Sequence, residues 1–113
     1  MRLSSLSDNI EFNNEKPKVD LLFETTESKE LRILMKKGQE MKSHKAPHPI
    51  IVQLFSGALS FGLTEEKLDL EAGDLLYLEA HVEHDLKAKS DCIIRLTINK
   101  KDDATRVKEV TES

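Results

Sequence analysis

Cysteine is nearly absent: Cys92 is the only one in 113 residues. No internal disulfide can form, and nothing points to an oxidising compartment. Long apolar runs are missing as well. The longest, Leu75 to Leu78, is far short of the roughly 18 residues of a membrane span. The opening stretch MRLSSLSDNIEF lacks the apolar segment of a secretion signal. These absences lead us to expect a cytoplasmic protein with no membrane partner. Aromatic residues are few, four phenylalanines and one tyrosine, too few to stack the bases of a single strand. The formal charge of −4 also opposes nucleic-acid binding, which Lys and Arg drive. There is no glycine-rich phosphate loop, no CxxC and no serine–histidine–acid spacing, and each absence removes an enzyme class.

What is present is a pattern of short alternations. A chain of this length makes one domain and buries roughly two thirds of its unfolded surface. Val19, Leu21 and Phe23 alternate with polar residues, as do Leu31, Ile33 and Met35. Ile50 to Phe55 is apolar on both faces apart from Gln53, so it reads as a central or covered strand. Leu59, Phe61 and Leu63 form another alternation, and Cys92, Ile94, Leu96 and Ile98 share one face of the last. Ile10 and Phe12 suggest a further short strand. Gly38, Gly57 and Ala72-Gly73-Asp74 mark turns. Many short strands with turn signals every 8–12 residues predict an all-β sandwich or barrel. The domain is read as residues 10–99, with a polar arm at 1–9 and a charged tail, frayed or loosely helical, at 100–113.

The chemistry rests on the four histidines. His44 and His48 lie on a segment stiffened by Pro47 and Pro49, and His81 and His84 follow the GDLLY strand. Gly38, five residues, His44, then an apolar strand ending at Gly57 resembles the first motif of the cupins, G-x5-H-x-H, three or four residues, E, six residues, G. The string GDLLYLEAHVEH, from Gly73 to His84, resembles the second, G-x5-P-x-G-x2-H-x3-N. The resemblance spans about residues 28 to 99. It implies a double-stranded β-helix, the cupin jelly-roll barrel, usually a dimer, with a metal in the barrel mouth of many members.

Only His44 and His84 keep the family's ligand identity. The second histidine of the first motif falls on Ala46, and its glutamate on Ile50. In the second motif the proline position is Glu79, the glycine His81 and the asparagine Ala88. A metal therefore needs a third ligand from elsewhere, His48 first, then His81 or Glu79. Gln53 sits on the opposite strand face from Ile50, away from the interior. Cys92 reads as a buried inert thiol and Tyr77 as packing. Lys36, Lys37, Lys42 and Lys45 read as a solvated strand edge.

Two functions follow from the resemblance. One is a barrel holding a divalent ion (Zn, Fe, Mn or Ni) on His44, His84 and His48, with a small organic ligand in the mouth and catalytic residues unassigned. The alternative is a metal-free ligand-binding or sensing barrel. A homodimer is expected in either case.

Overall fold

Period-two burial organises the chain in a computed structural model that describes residues 1–112. Nine strands form: β1 (Lys18–Glu24), β2 (Ser28–Met35), β3 (Glu40–His44), β4 (Ile50–Ser56), β5 (Ala58–Gly62), β6 (Lys67–Glu71), β7 (Leu75–Leu78), β8 (His84–Ala88) and β9 (Cys92–Asn99). A single helix follows, α1 (Ala104–Val110). Strands take up 48% of the chain, so the expected all-β class holds.

The strands make two antiparallel sheets. One has the order β1-β2-β9-β4-β7 and the other β3-β8-β5-β6. Their inner faces supply one core. Leu31, Ile33, Val52, Leu54, Ile94 and Ile98 come from the larger sheet, and Met41, Leu59, Phe61, Leu86 and Ala88 from the smaller. On β9 the alternation is complete, with Cys92, Ile94, Leu96 and Ile98 all buried. Gly57 turns between β4 and β5 with φ +102°, where a Cβ would collide with the Asp91 carbonyl.

Several local expectations change. Ile10 and Phe12 join no strand. The polar stretch EMKSH, which carries no apolar alternation, is strand β3, with His44 as its last residue. One apolar side chain, Met41, is enough to seat it, because β8 pairs with it: Glu40 lies opposite Lys87, Met41 opposite Leu86 and His44 opposite His84. Tertiary pairing overrides weak strand propensity here. β4 is central, as expected, paired with β9 and β7, and its outer face carries Ile51 and Phe55, 36% and 40% exposed. Tyr77, expected to pack, is exposed.

The termini are held more firmly than their polarity suggests. On the outer face of β2, Arg32 donates to the carbonyls of Ser5, Leu6, Asp8 and Asn9 and to the Asp20 carboxylate. At the other end, α1 is capped by Asp103, whose carboxylate accepts the Thr105 N–H. The helix buries Val107 against the core. Among the described residues no helix is long and apolar enough to cross a membrane.

Candidate functional site

His44 ends β3 and His84 begins β8, and the two are opposite each other in the ladder. His84 shares the inner face of β8 with Leu86, and an irregularity in the ladder between Met41 and His44 turns His44 to the same side, so their rings meet edge to face with centroids 4.2 Å apart. His84 is also stacked on Phe61, centroids 5.5 Å apart and planes within 10°. That contact fixes the ring against the core.

Each ring is oriented by a carbonyl two residues back on its own chain. His44 Nδ1 lies 2.7 Å from the Lys42 carbonyl and His84 Nδ1 2.9 Å from the Val82 carbonyl. A carbonyl only accepts, so Nδ1 carries the proton in both rings and Nε2 keeps its lone pair. Burial lowers the His44 pKa from 6.5 to about 4, with His84 and Arg106 pushing the same way against the Lys42 bond. Burial also lowers the pKa of His84, and Arg106 adds to it. Both imidazoles are neutral at pH 7.

The pair opens onto a cavity at the barrel mouth. Its walls include Ala46, Ile50, Arg106 and Val107. All four positions that carry the metal ligands in the cupin motifs thus face one space. Two hold imidazoles and two hold aliphatic side chains. The free space is about 20 Å³, room for a water molecule and no more. What fills the mouth is α1. Arg106 is held there by Asp102, with Nε and Nη2 at 2.8 and 2.7 Å from its two carboxylate oxygens. Asp102 is 3% exposed. Burial would raise its pKa, but the bonds from Arg106 and the Asp103 N–H outweigh this and hold it below the ordinary value.

The other candidates are placed elsewhere. His48 is half-buried on the loop before β4 and is not among the residues lining the cavity. His81 is exposed, with φ +66°, and its N–H donates to the Ala46 carbonyl. Glu79 is exposed and accepts from the Tyr77 hydroxyl. Gln53 faces outward, as expected, and accepts from Arg95. Cys92 is fully buried, and burial raises its pKa, which keeps the thiol unreactive.

Among the described residues no three His, Cys, Asp or Glu side chains converge as a metal site. The neutral, carbonyl-oriented pair has the chemistry of metal ligands. The rest of the shell does not: Ala46 and Ile50 offer no donor, and a guanidinium lines the same space. The residues present therefore do not fit a firmly held divalent ion.

Solved structures similar to this chain share its architecture. An RmlC-like cupin from Desulfovibrio desulfuricans is 19% identical over 88% of this chain and 96% of its own, with a TM-score of 0.78. A double-stranded β-helix protein from Klebsiella pneumoniae is 22% identical over 88% and 89%, TM-score 0.74. The fold is that of the cupins. A cupin superfamily protein from Desulfitobacterium hafniense agrees, 17% identical over 79% and 83% with a TM-score of 0.70. No protein-family model matches the chain, and no curated protein matches it in sequence.

The motif spacing singled out His44 and His84, and the structure brings their two rings together at one cavity. The spacing missed Asp102, Arg106 and Val107, which lie beyond the motifs. A signal for them existed: Asp103 at a helix start, Asp102 and Arg106 four apart, and Val107 with Val110 three apart.

Proposed function

We propose that the chain is a metal-free cupin barrel that binds a small organic ligand at the mouth, beside His44 and His84. One observation supports this most. The positions that would complete a metal shell are Ala46 and Ile50, and they line the same cavity as the two histidines. Such a pocket is largely apolar with a few convergent polar groups, the usual composition of a small-molecule site. The two Nε2 lone pairs accept from a ligand N–H or O–H, and the aliphatic wall takes its carbon skeleton.

A second reading keeps a divalent ion on His44 and His84 alone. Its support is the pair of Nδ1–carbonyl bonds, which present both Nε2 atoms unprotonated. One experiment separates the two. The purified protein is analysed for Zn, Fe, Mn and Ni, before and after reconstitution, and small molecules are screened by thermal shift with and without chelator. Sub-stoichiometric metal with chelator-resistant ligand shifts supports the first reading. A full equivalent retained through gel filtration overturns it.

We also propose a cytoplasmic homodimer. The lone, buried Cys92 accords with a reducing compartment. For the dimer, Ile51, Phe55, Leu75 and Tyr77 are exposed on the outer face of the larger sheet, next to its β7 edge. Contiguous exposed apolar groups on a sheet of this kind favour burial against a second copy. A monomer by light scattering at micromolar concentration would rule it out.

A further inference from the structure

We propose that α1 is a lid, which swings about the Asn99–Asp102 turn to admit a ligand and, when docked, places its own Arg106 and Val107 where that ligand lies. The proposal rests on the mouth cavity being the binding site and says how it is reached.

The geometry carries it in three steps. First, the site is closed from within. Arg106 and Val107 line the cavity with the histidines, and the remaining 20 Å³ admits no organic molecule. Any ligand contact with the Nε2 atoms requires displacement of something, and the barrel walls are hydrogen-bonded sheet on both sides.

Second, α1 is the element built to move. It has seven residues, too few to be stable in isolation, and one fully buried side chain, Val107. It joins the barrel after Lys100, whose N–H donates to the Glu27 carbonyl. Between that bond and the helix lies a turn closed by Asp102 N–H to the Asn99 carbonyl and Lys101 N–H to the Asn99 side chain. The strands beneath keep their own ladders without it.

Third, docking combines three small apolar side chains, buried Val107 and partly buried Ala104 and Val110, with polar contacts that water can replace. Lys29 Nζ donates to the Asp102 carbonyl at 2.6 Å, and Lys16 pairs with Glu112 at 2.9 Å on the surface. The bidentate Arg106–Asp102 pair lies within the lid itself, so it survives the swing. Opening exposes those three side chains and the aliphatic cavity wall, which a ligand's carbon skeleton would cover, and the floor it uncovers carries two neutral imidazoles. Local openings of this type draw on the least stable part of a fold.

The test reads access to the imidazoles without needing the ligand. Diethyl pyrocarbonate acylates unprotonated histidine nitrogens, and peptide mass spectrometry gives a rate for each residue, with exposed His81 as the internal standard. In the intact chain His44 and His84 should react at least about tenfold more slowly than His81. Deleting residues 102–113 should bring them to within about threefold of it. Because truncation can unfold a chain, a second arm keeps the full length. Lys16→Cys and Glu112→Cys are joined by a bis-maleimide, with buried Cys92 as an unreactive background. The tether should slow His44 and His84 further, at unchanged His81 rate. Two results overturn the lid: His44 and His84 reacting as fast as His81 in the intact chain, or a tether that leaves their rates unaltered. A failed ligand screen changes none of these rates, so it counts against the binding site alone.

Discussion

Arg32 and Arg106 each order one end of the chain. Arg32 is 6% exposed on the outer face of β2 and takes four main-chain carbonyls of the N-terminal arm together with Asp20. Arg106 lies at the mouth and takes a single partner, Asp102, from its own segment. The first arginine ties two separated parts of the chain together. The second braces a segment against itself, and Val107, with partly buried Ala104 and Val110 and a few polar contacts, binds that segment to the barrel. A guanidinium that bridges distant chain makes a clamp; one satisfied locally leaves its segment free to leave. The arm and the helix are equally polar in sequence, yet one is structure and the other is positioned to gate a site.

The largest effect should come from breaking the clamp. Arg32→Met leaves the arm carbonyls and Asp20 without their donor, and should cost about 2–4 kcal/mol in urea unfolding. Arg106→Met should cost less, about 1–2 kcal/mol. It strands a buried Asp102, but α1 can undock and hydrate that carboxylate, which limits the loss. A larger loss for Arg106→Met than for Arg32→Met would reverse the comparison.

A pH series sharpens it. Burial lowers the His44 pKa from 6.5 to about 4, and His84 is shifted the same way. Between those values the unfolded chain takes up protons that the folded chain refuses. Stability should therefore fall as pH drops from about 6.5 towards 4, and level off below, where both states are protonated. For His44 alone the shift corresponds to at most about 3 kcal/mol, and partial exposure reduces this to the order of 1–2. Arg106→Met should flatten the slope by letting water reach the pair, while Arg32→Met should leave it parallel to wild type. Equal slopes in all three proteins would show that the lid does not control the environment of the histidines. The smallest effect is a null one. The two substitutions combined should add within about 0.5 kcal/mol, because the two ends share no partner.

Much of the barrel was legible along the chain. Alternation on β9 and on Leu31, Ile33 and Met35 requires no partner to be recognised, because one buried face imposes a period of two wherever a sheet packs. The turns at Gly38, Gly57 and Gly73 were legible for a similar reason, since all three take positive φ. β3 was not, because EMKSH holds one inward apolar residue and becomes a strand only beside β8. At the site, motif spacing found His44 and His84, the residues fixed by their own strands. His48 stood off the motif positions, as a candidate third ligand whose place depends on the path of a loop.

The sequence alone determined the all-β class and the cupin-like spacing that singled out His44 and His84, because period and local turn chemistry are written residue by residue. Only the tertiary structure decided that Ala46 and Ile50 face those histidines across one cavity. It alone showed that an arginine and a valine from the charged tail close it. Such contacts join residues about sixty positions apart in the chain, and no local pattern encodes which side chains a folded barrel brings to its mouth.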